Sequence, residues 1–251
     1  MNNSKITVIT VVYNCHDTIE ATILSVINQT YDNVEYIIID GGSKDGTVDV
    51  IKKYQDQINY WVSEPDEGIY EAMNKGIDKA SGDWINFMNS GDSFTSDKVL
   101  NSIFASDNYS DVDILYGNCI MVENNSKIEH ISGTDINRIS KNPIYRHGAS
   151  FVSTDVHKEF MFDVSLKDKL GFALDYNCIY QLYLAKKKFQ KVDVNVLTYQ
   201  KEGISNQPLK GIWYKYLITR KKSSKYSFEY CKTLLKISVV YLLALRKKKI
   251  F

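Results

Sequence analysis

Prolines are scarce, three in 251 residues, and there are four cysteines, Cys15, Cys119, Cys178 and Cys231. With 44% hydrophobic and 24% charged residues, the composition excludes wholesale disorder and collagen-like structure and suits a globular chain with a full core. The cysteines form no C-x-x-C pair, so a disulfide framework or thiolate zinc site is not expected. Long apolar runs are missing too. The longest, Ile237–Leu245, includes Ser238 and as a helix reaches about 13 Å, against roughly 30 Å of bilayer hydrocarbon. The start, MNNSKITVIT, has no basic segment followed by a long apolar one, so no leader is expected. Neither G-x-G-x-x-G nor G-x-x-x-x-G-K-[ST] occurs, which argues against a dinucleotide-binding dehydrogenase and a P-loop enzyme.

Net charge is nearly absent as well, at +1. That average conceals a division. Residues 210–251 carry 12 of the 31 Lys and Arg but only one of the 30 acids, Glu229, leaving 19 basic and 29 acidic residues in 1–209. A body of net −10 joined to a tail of net +11 points to an anionic surface met by one end of the molecule.

What is present over the first hundred residues is an alternation of two periodicities. Ile6–Val12, Val34–Asp40, Ile58–Val62 and Trp84–Met88 read as buried strands. Between them lie helical patterns: one entered at Asp17, with Ile19, Ile23, Val26 and Ile27 apolar, then Thr47 to about Tyr54 and Glu67–Ala80. Strand–helix alternation with short connections predicts a parallel sheet covered on both faces. Beyond residue 100 the pattern predicts a helix over Asp97–Ser106 and a hairpin of Asp113–Val122 with Lys127–Ile131. A strand at Ala149–Val152, a helix at Leu174–Lys187, a strand at Val192–Tyr199 and two basic helices from Leu209 follow.

Ligands of parallel α/β sheets collect beyond the carboxyl ends of the strands. Those ends read Tyr13-Asn14, Asp40-Gly41-Gly42, Ser63-Glu64-Pro65-Asp66 and Asn89-Ser90-Gly91-Asp92, all polar. An ionised Asp40 only accepts hydrogen bonds, so a ribose hydroxyl or a base N–H is a suitable partner. Asp45 is placed to cap the helix at Thr47.

The segments ITVITVVYN, IIIDGGSKDGT, SEPDEGIYEAMNKGI and ASGDWINFMNSGD resemble the family 2 inverting glycosyltransferases, particularly those of bacterial exopolysaccharide and lipopolysaccharide assembly. The resemblance covers about residues 5–200 and is most specific over the first hundred. It implies a GT-A fold: a Rossmann-like, mostly parallel sheet with helices on both faces, extended here by a basic C-terminal helical segment. Residues 1–105 would then bind the nucleotide sugar, 106–207 the acceptor, and 208–251 would form the extension.

By the same resemblance Thr10, Val12, Tyr13, Asn14, Asp40 and Gly41 would line the base and ribose pocket. Gly41 stands where an aspartate is commoner in the family. Asn74, Lys75, Asn89, Ser90 and Gly91 would face the diphosphate or donor sugar, with Gly76 permitting close backbone approach. Asp92 would be the single protein carboxylate for Mn²⁺ or Mg²⁺, its shell completed by diphosphate oxygens and water. RHGASF, Arg146 to Phe151, is similar to the segment lining the family's cleft, which makes His147 a candidate metal or phosphate contact. Asp163 falls in a loop with a structural role. Asp175 would be the catalytic base, an N-cap being its ordinary alternative, and Gly203-Ile204-Ser205 resembles a loop over the acceptor.

These assignments imply one in-line displacement, from a nucleotide diphosphate sugar (uridine expected) to a hydroxyl of a lipid-linked oligosaccharide in surface polysaccharide synthesis. The alternative is a nucleotide-sugar-binding or complex-forming protein of the same fold with little or no catalysis, suggested by the reduced metal motif. In the tail, Leu234, Leu235, Val239, Leu242 and Leu243 with Lys232, Lys236 and Arg246–Lys249 suit an anionic membrane interface. Packing of these helices on the body is the other reading. No RNA-recognition motif accompanies the interleaved aromatics, so nucleic acid is not an expected partner. The expected location is cytoplasmic, at the inner face of the cell membrane.

Overall fold

The structure, a computed structural model, describes residues 4–105, 109–124, 126–201, 207–220, 231–239 and 241. The first half alternates as expected: β1 (Ile6–Val12), α1 (His16–Ile27), β2 (Val34–Asp40), α2 (Thr47–Lys53), β3 (Tyr60–Ser63), α3 (Ile69–Lys79) and β4 (Trp84–Phe87). The second half contains β5 (Ser93–Phe94), α4 (Val99–Phe104), β6 (Ile114–Glu123), β7 (Ser126–His130), β8 (Ser150–Ser153) and α5 (Thr154–Glu159). After these come α6 (Lys167–Leu170), α7 (Leu174–Leu184), β9 (Phe189–Gln200) and α8 (Pro208–Thr219). Residues 231–239 are also helical.

One sheet takes in all nine described strands, in the order β3-β2-β1-β4-β8-β6-β9-β5, with β7 on β6. The pairs among β3, β2, β1 and β4 are all parallel. At β4 the direction changes: β8 is antiparallel to both β4 and β6, while β6 and β9 run parallel. Alternation along β1 explains how one strand serves two faces. Ile6, Val8 and Val12 pack with Ile19 and Ile23 of α1 and with Leu100 and Ile103 of α4. Ile9 and Val11 pack on the other face with Ala72, Met73 and Ile77 of α3 and with α7.

Local details differ from expectation where long-range contacts compete. Asp17 does not cap α1. The carboxylate of Asp45 instead accepts from the His16 N–H at 3.0 Å and from the Thr47 N–H at 3.0 Å, so it serves the starts of α1 and α2 together. The hydrogen bond from the Thr47 hydroxyl, with that from His16, holds Asp45 down at about 2. Asp175 lies in the first turn of α7, after Ala173 at the cap position, so it is not an N-cap. The two-residue β5 and short α5 and α6 lack enough sequence to show a period, and were not expected.

Candidate active site

The first three strand ends form a hydrogen-bonded floor. Thr10 is fully buried, and its hydroxyl donates to Met88 O at 2.7 Å and lies 3.0 Å from the Tyr36 hydroxyl. Val12 is also in the core. Asp40 is wholly buried: its carboxylate accepts from the Gly42 N–H (3.1 Å), the Ser43 N–H (2.9 Å), the Ser43 hydroxyl and the Ser63 hydroxyl (2.6 Å). Thr10, Val12 and Asp40, expected in the base and ribose pocket, are thus buried at the strand ends. These residues stitch the sheet and its loops together, and their polar groups are already paired. Asn14, in a left-handed conformation with φ 50°, accepts the Lys44 N–H at 3.0 Å and ties the first loop to the second. Tyr13 is exposed and available.

Gly41 has a reason that its own segment does not reveal. A Cβ there would lie 2.7 Å from Asp66 Oδ2 and 3.3 Å from the Tyr13 ring. Asp66, from the loop after β3, thus fills the space above Gly41 that a side chain would take, and its other oxygen accepts the Gly68 N–H at 2.8 Å. The sequence marks Asp66 only as part of a polar strand end. The glycine at 41 is the signal that a second carboxylate comes from elsewhere.

The loop after β4 is held by α1. The Thr22 hydroxyl accepts the Gly91 N–H at 3.0 Å and donates to Asp92 O at 2.7 Å, while the Ser90 and Thr18 hydroxyls lie 3.2 Å apart. Gly91 takes φ 91°, the left-handed turn that glycine adopts most readily. Burial raises the Asp92 carboxyl to about 7, against the opposing pull of the Arg146 charge. On the same turn, Asn89 Oδ1 is buried without a hydrogen-bond partner among the described residues. An orphaned amide oxygen beside a carboxyl is a hard-oxygen donor set, so these residues fit a divalent cation that a ligand would help to hold. No group of three or more His, Cys, Asp or Glu side chains suitable for a metal occurs among the described residues.

Residues expected to face the donor from α3 are engaged elsewhere. Asn74 donates to Phe162 O at 2.9 Å and accepts the Phe162 N–H at 3.0 Å, a two-point clamp on the loop before α6. Lys75 pairs with Glu64 at 2.8 Å and Glu71 at 3.5 Å, and the hydrogen bond to Glu64 leads in raising its pKa. Gly76 abuts Ile9, whose Cγ2 would lie 2.5 Å from an added Cβ, so it serves close packing of α3 on β1 rather than a phosphate.

The second half supplies a cavity of about 560 Å³ whose wall includes Asp175, Arg146, His147, Tyr145 and Lys215. Burial pushes Asp175 up to about 6, opposed by the Tyr176 N–H (2.6 Å) and the Arg146 charge. Its own N–H lies 3.5 Å from the hydroxyl of Tyr70, which donates to Phe172 O at 2.7 Å. Arg146 feels both Asp92 and Asp175, residues 83 positions apart in the chain, and so marks where the two halves meet. Sequence reading gave it no role.

His147 stacks on Phe87 at 5.2 Å and meets Phe162 edge-on at 5.5 Å. Burial, reinforced by His157, lowers it to about 3. The ring is neutral near pH 7, so any contact with a phosphate or metal would be made by an uncharged imidazole. Asp163 accepts from the Ser165 N–H at 3.1 Å, the local turn role expected of it. Gly203, Ile204 and Ser205 lie outside the described residues.

Helix α8 packs on the body rather than projecting from it. Tyr216 and Ile218 are buried, and the Tyr214 ring meets Phe172 at 5.2 Å. On the helical segment at 231–239, Leu234, Leu235 and Val239 are exposed. Leu242, Leu243 and Arg246–Lys249 lie outside the described residues. No helix among the described residues is long and apolar enough to cross a membrane.

A parallel half with polar strand ends, continuous with a mixed half in one sheet, is the GT-A architecture. The chain belongs to glycosyl transferase family 2, whose model matches residues 7–171. Over 104 residues it is 38% identical to the Escherichia coli UDP-Glc:alpha-D-GlcNAc-diphosphoundecaprenol beta-1,3-glucosyltransferase WfaP, covering 39% of each chain. An uncharacterized glycosyltransferase of Mycobacterium tuberculosis is 43% identical over 96 residues, which are 38% of this chain and 37% of that protein. The match thus spans about two fifths of the length of these curated relatives. In fold, the chain is similar to Staphylococcus aureus TarS in complex with UDP-GlcNAc, with a TM-score of 0.65 at 17% identity over 94% of this chain and 66% of that one. A mannosyltransferase from Pyrobaculum calidifontis, in complex with GDP-Man and Mn²⁺, likewise aligns with a TM-score of 0.65 at 15% identity, covering 93% and 70%.

Proposed function

We propose that the chain is an inverting glycosyltransferase that moves a sugar from a uridine diphosphate donor to a hydroxyl of a lipid-linked glycan in bacterial surface polysaccharide synthesis. The observation that carries this reading is Asp175: a carboxyl raised to about 6, on the wall of a cavity large enough for a sugar acceptor. A base works best with a pKa near the working pH, and burial gives Asp175 that property. WfaP, by its name, acts on a sugar diphospholipid with UDP-Glc, and TarS is seen with UDP-GlcNAc. Both support the choice of donor and acceptor class.

In the reaction, the ionised Asp175 takes the proton of the acceptor hydroxyl as its oxygen attacks the anomeric carbon. The new C–O bond forms as the bond from that carbon to the diphosphate breaks, and a single displacement inverts the centre. Tyr13, Asn14 and Asp66 border the nucleotide position. Asp92 and Asn89 would hold Mn²⁺ or Mg²⁺, which when bound supplies positive charge for the diphosphate oxygens. The exposed apolar side chains at 234, 235 and 239 and the basic tail would bring the enzyme to the inner face of the membrane, where the acceptor resides.

The test is release of nucleoside diphosphate across a panel of donor sugars, with a lipid-linked acceptor, with and without Mn²⁺. Acceptor-dependent release with one donor is the expected outcome. No release with any donor, while nucleotide still binds, would favour the non-catalytic reading that a single metal carboxylate suggests.

A further inference from the structure

The cavity holding Asp175 also gathers positive charge that the displacement does not use. Lys215 of α8 is partly buried, and its amino group donates to Asn142 Oδ1 at 3.1 Å. Arg146 lies over the Tyr199 ring, 4.7 Å from its centroid, and donates to the Tyr199 hydroxyl at 3.1 Å. Lys236, on the helical segment at 231–239, is exposed. Burial first, then the charges of Arg146 and Lys236, push the Lys215 ammonium toward losing its proton, and Lys215 and Arg146 line the same cavity. Among the described residues none of the three forms an ion pair. Tyr145, which also lines the cavity, is 5% exposed, and its hydroxyl has no partner among the described residues.

Bringing like charges together is unfavourable unless an anion joins them, and charge-assisted bonds to phosphate oxygens are the strong class of such contacts. The nearby carboxyls do not fill this role. Asp175 is a base that must stay free, and Asp92 lies towards the donor side. We infer that Lys215 and Arg146 form an anion subsite for a phosphate group of the acceptor, beside the hydroxyl that Asp175 deprotonates. The inference rests on the transferase reading of this site. Because Arg146 reaches both Asp175 and Lys215, and one cavity of about 560 Å³ contains all three, the charged group sits on or next to the sugar that is attacked. A sugar linked directly to a diphospholipid meets that requirement. A neutral sugar far along a glycan does not.

The experiment uses the full chain saturated with uridine diphosphate, so that further diphosphate binding reports the acceptor side. Calorimetric titrations compare decyl diphosphate, a sugar diphosphate decyl ester and the matching neutral decyl glycoside. The wild type is expected to bind both diphosphates at least about 30-fold more tightly than the glycoside. Lys215→Gln should reduce that ratio about tenfold, the scale of one charge-assisted contact. Nucleotide affinity in the same titrations verifies folding of the variant. Equal binding of the charged and neutral ligands, no binding of either diphosphate, or a ratio unchanged in Lys215→Gln would overturn the subsite. Co-sedimentation with phosphatidylglycerol vesicles separates the other phosphate source: a variant that loses vesicle binding but keeps the ratio would show that Lys215 reads bilayer headgroups, which also overturns it. A preserved ratio without sugar transfer to the diphosphate ester would refute the transferase reading and leave the subsite standing.

Discussion

Replacing Asp175 by Asn should slow transfer sharply and at the same time stabilise the protein. Burial raises this carboxyl from its ordinary value of 3.8 to about 6, so the folded state binds the proton more tightly than the unfolded chain does. Between those two values the native protein carries more protons, and stability falls as pH rises. Below 3.8 the penalty is absent; above about 6 it is fully present. A shift of roughly two pH units corresponds to an upper bound of about 3 kcal/mol. Asp175 is only partly buried and lines an open-sided cavity, so solvent screening leaves about 1–2 kcal/mol as the expected gain from a neutral isostere. For a chain of this length that raises the melting temperature by roughly 2–8 °C. The amide oxygen of Asn can still accept the Tyr176 N–H, and the local turn is retained. Loss of a general base should slow turnover by about 10²–10⁴-fold. Thermal unfolding at pH 7.5 and at pH 4 checks both the size and the sign: the Asn variant melts higher at pH 7.5, and its advantage shrinks at pH 4. A variant less stable than the wild type at pH 7.5, or one that keeps its turnover, would refute the reasoning.

Two further predictions concern glycines whose surroundings decide their identity. Gly76→Ala places a Cβ 2.5 Å from Ile9 Cγ2 at the contact of α3 with β1, and overpacking there should destabilise by about 1–3 kcal/mol in urea unfolding; an unchanged midpoint would mean that α3 shifts freely. Gly41→Asp sets a second carboxylate against Asp66 Oδ2, 2.7 Å from the new Cβ. It should weaken uridine diphosphate binding at least tenfold, and adding Asp66→Gly should restore most of the affinity, as calorimetry can check. Failure of the double variant to recover would show that Asp66 does not substitute for the missing side chain at 41.

The parallel half was legible because its signals are local. A strand such as Ile6–Val12 sends alternate side chains to two faces, and both faces are covered, so the run is β-branched throughout, apolar but for Thr7 and Thr10, and bounded by a polar end. The segments at 34–40 and 84–87 obey the same rule, and the order of strands and helices then gives a parallel sheet. The two-residue β5 and short helices α5 and α6 are held by contacts distant in the chain, and no period can develop in so few residues. Likewise, a carboxylate written at the end of a strand shows that a polar site exists, not which way the group turns. Asp40 turns inward to Ser43 and Ser63, while Asp66 takes the position above Gly41.

By itself the sequence determined the family, the parallel half of the sheet, the location of the polar strand ends and the division between an acidic body and a basic tail. These follow from periodicity, composition and contiguous motifs. Tertiary structure decided which polar groups remain free. It occupied Asn74 with Phe162, neutralised His147 between Phe87 and Phe162, and turned part of the basic tail back onto the body so that Lys215 joins Asp175 in one cavity. It also placed Arg146 within reach of Asp92 and Asp175, a relation no motif spacing encodes. The physical reason is that pairing and desolvation depend on every neighbour in space, whereas a motif records only neighbours along the chain.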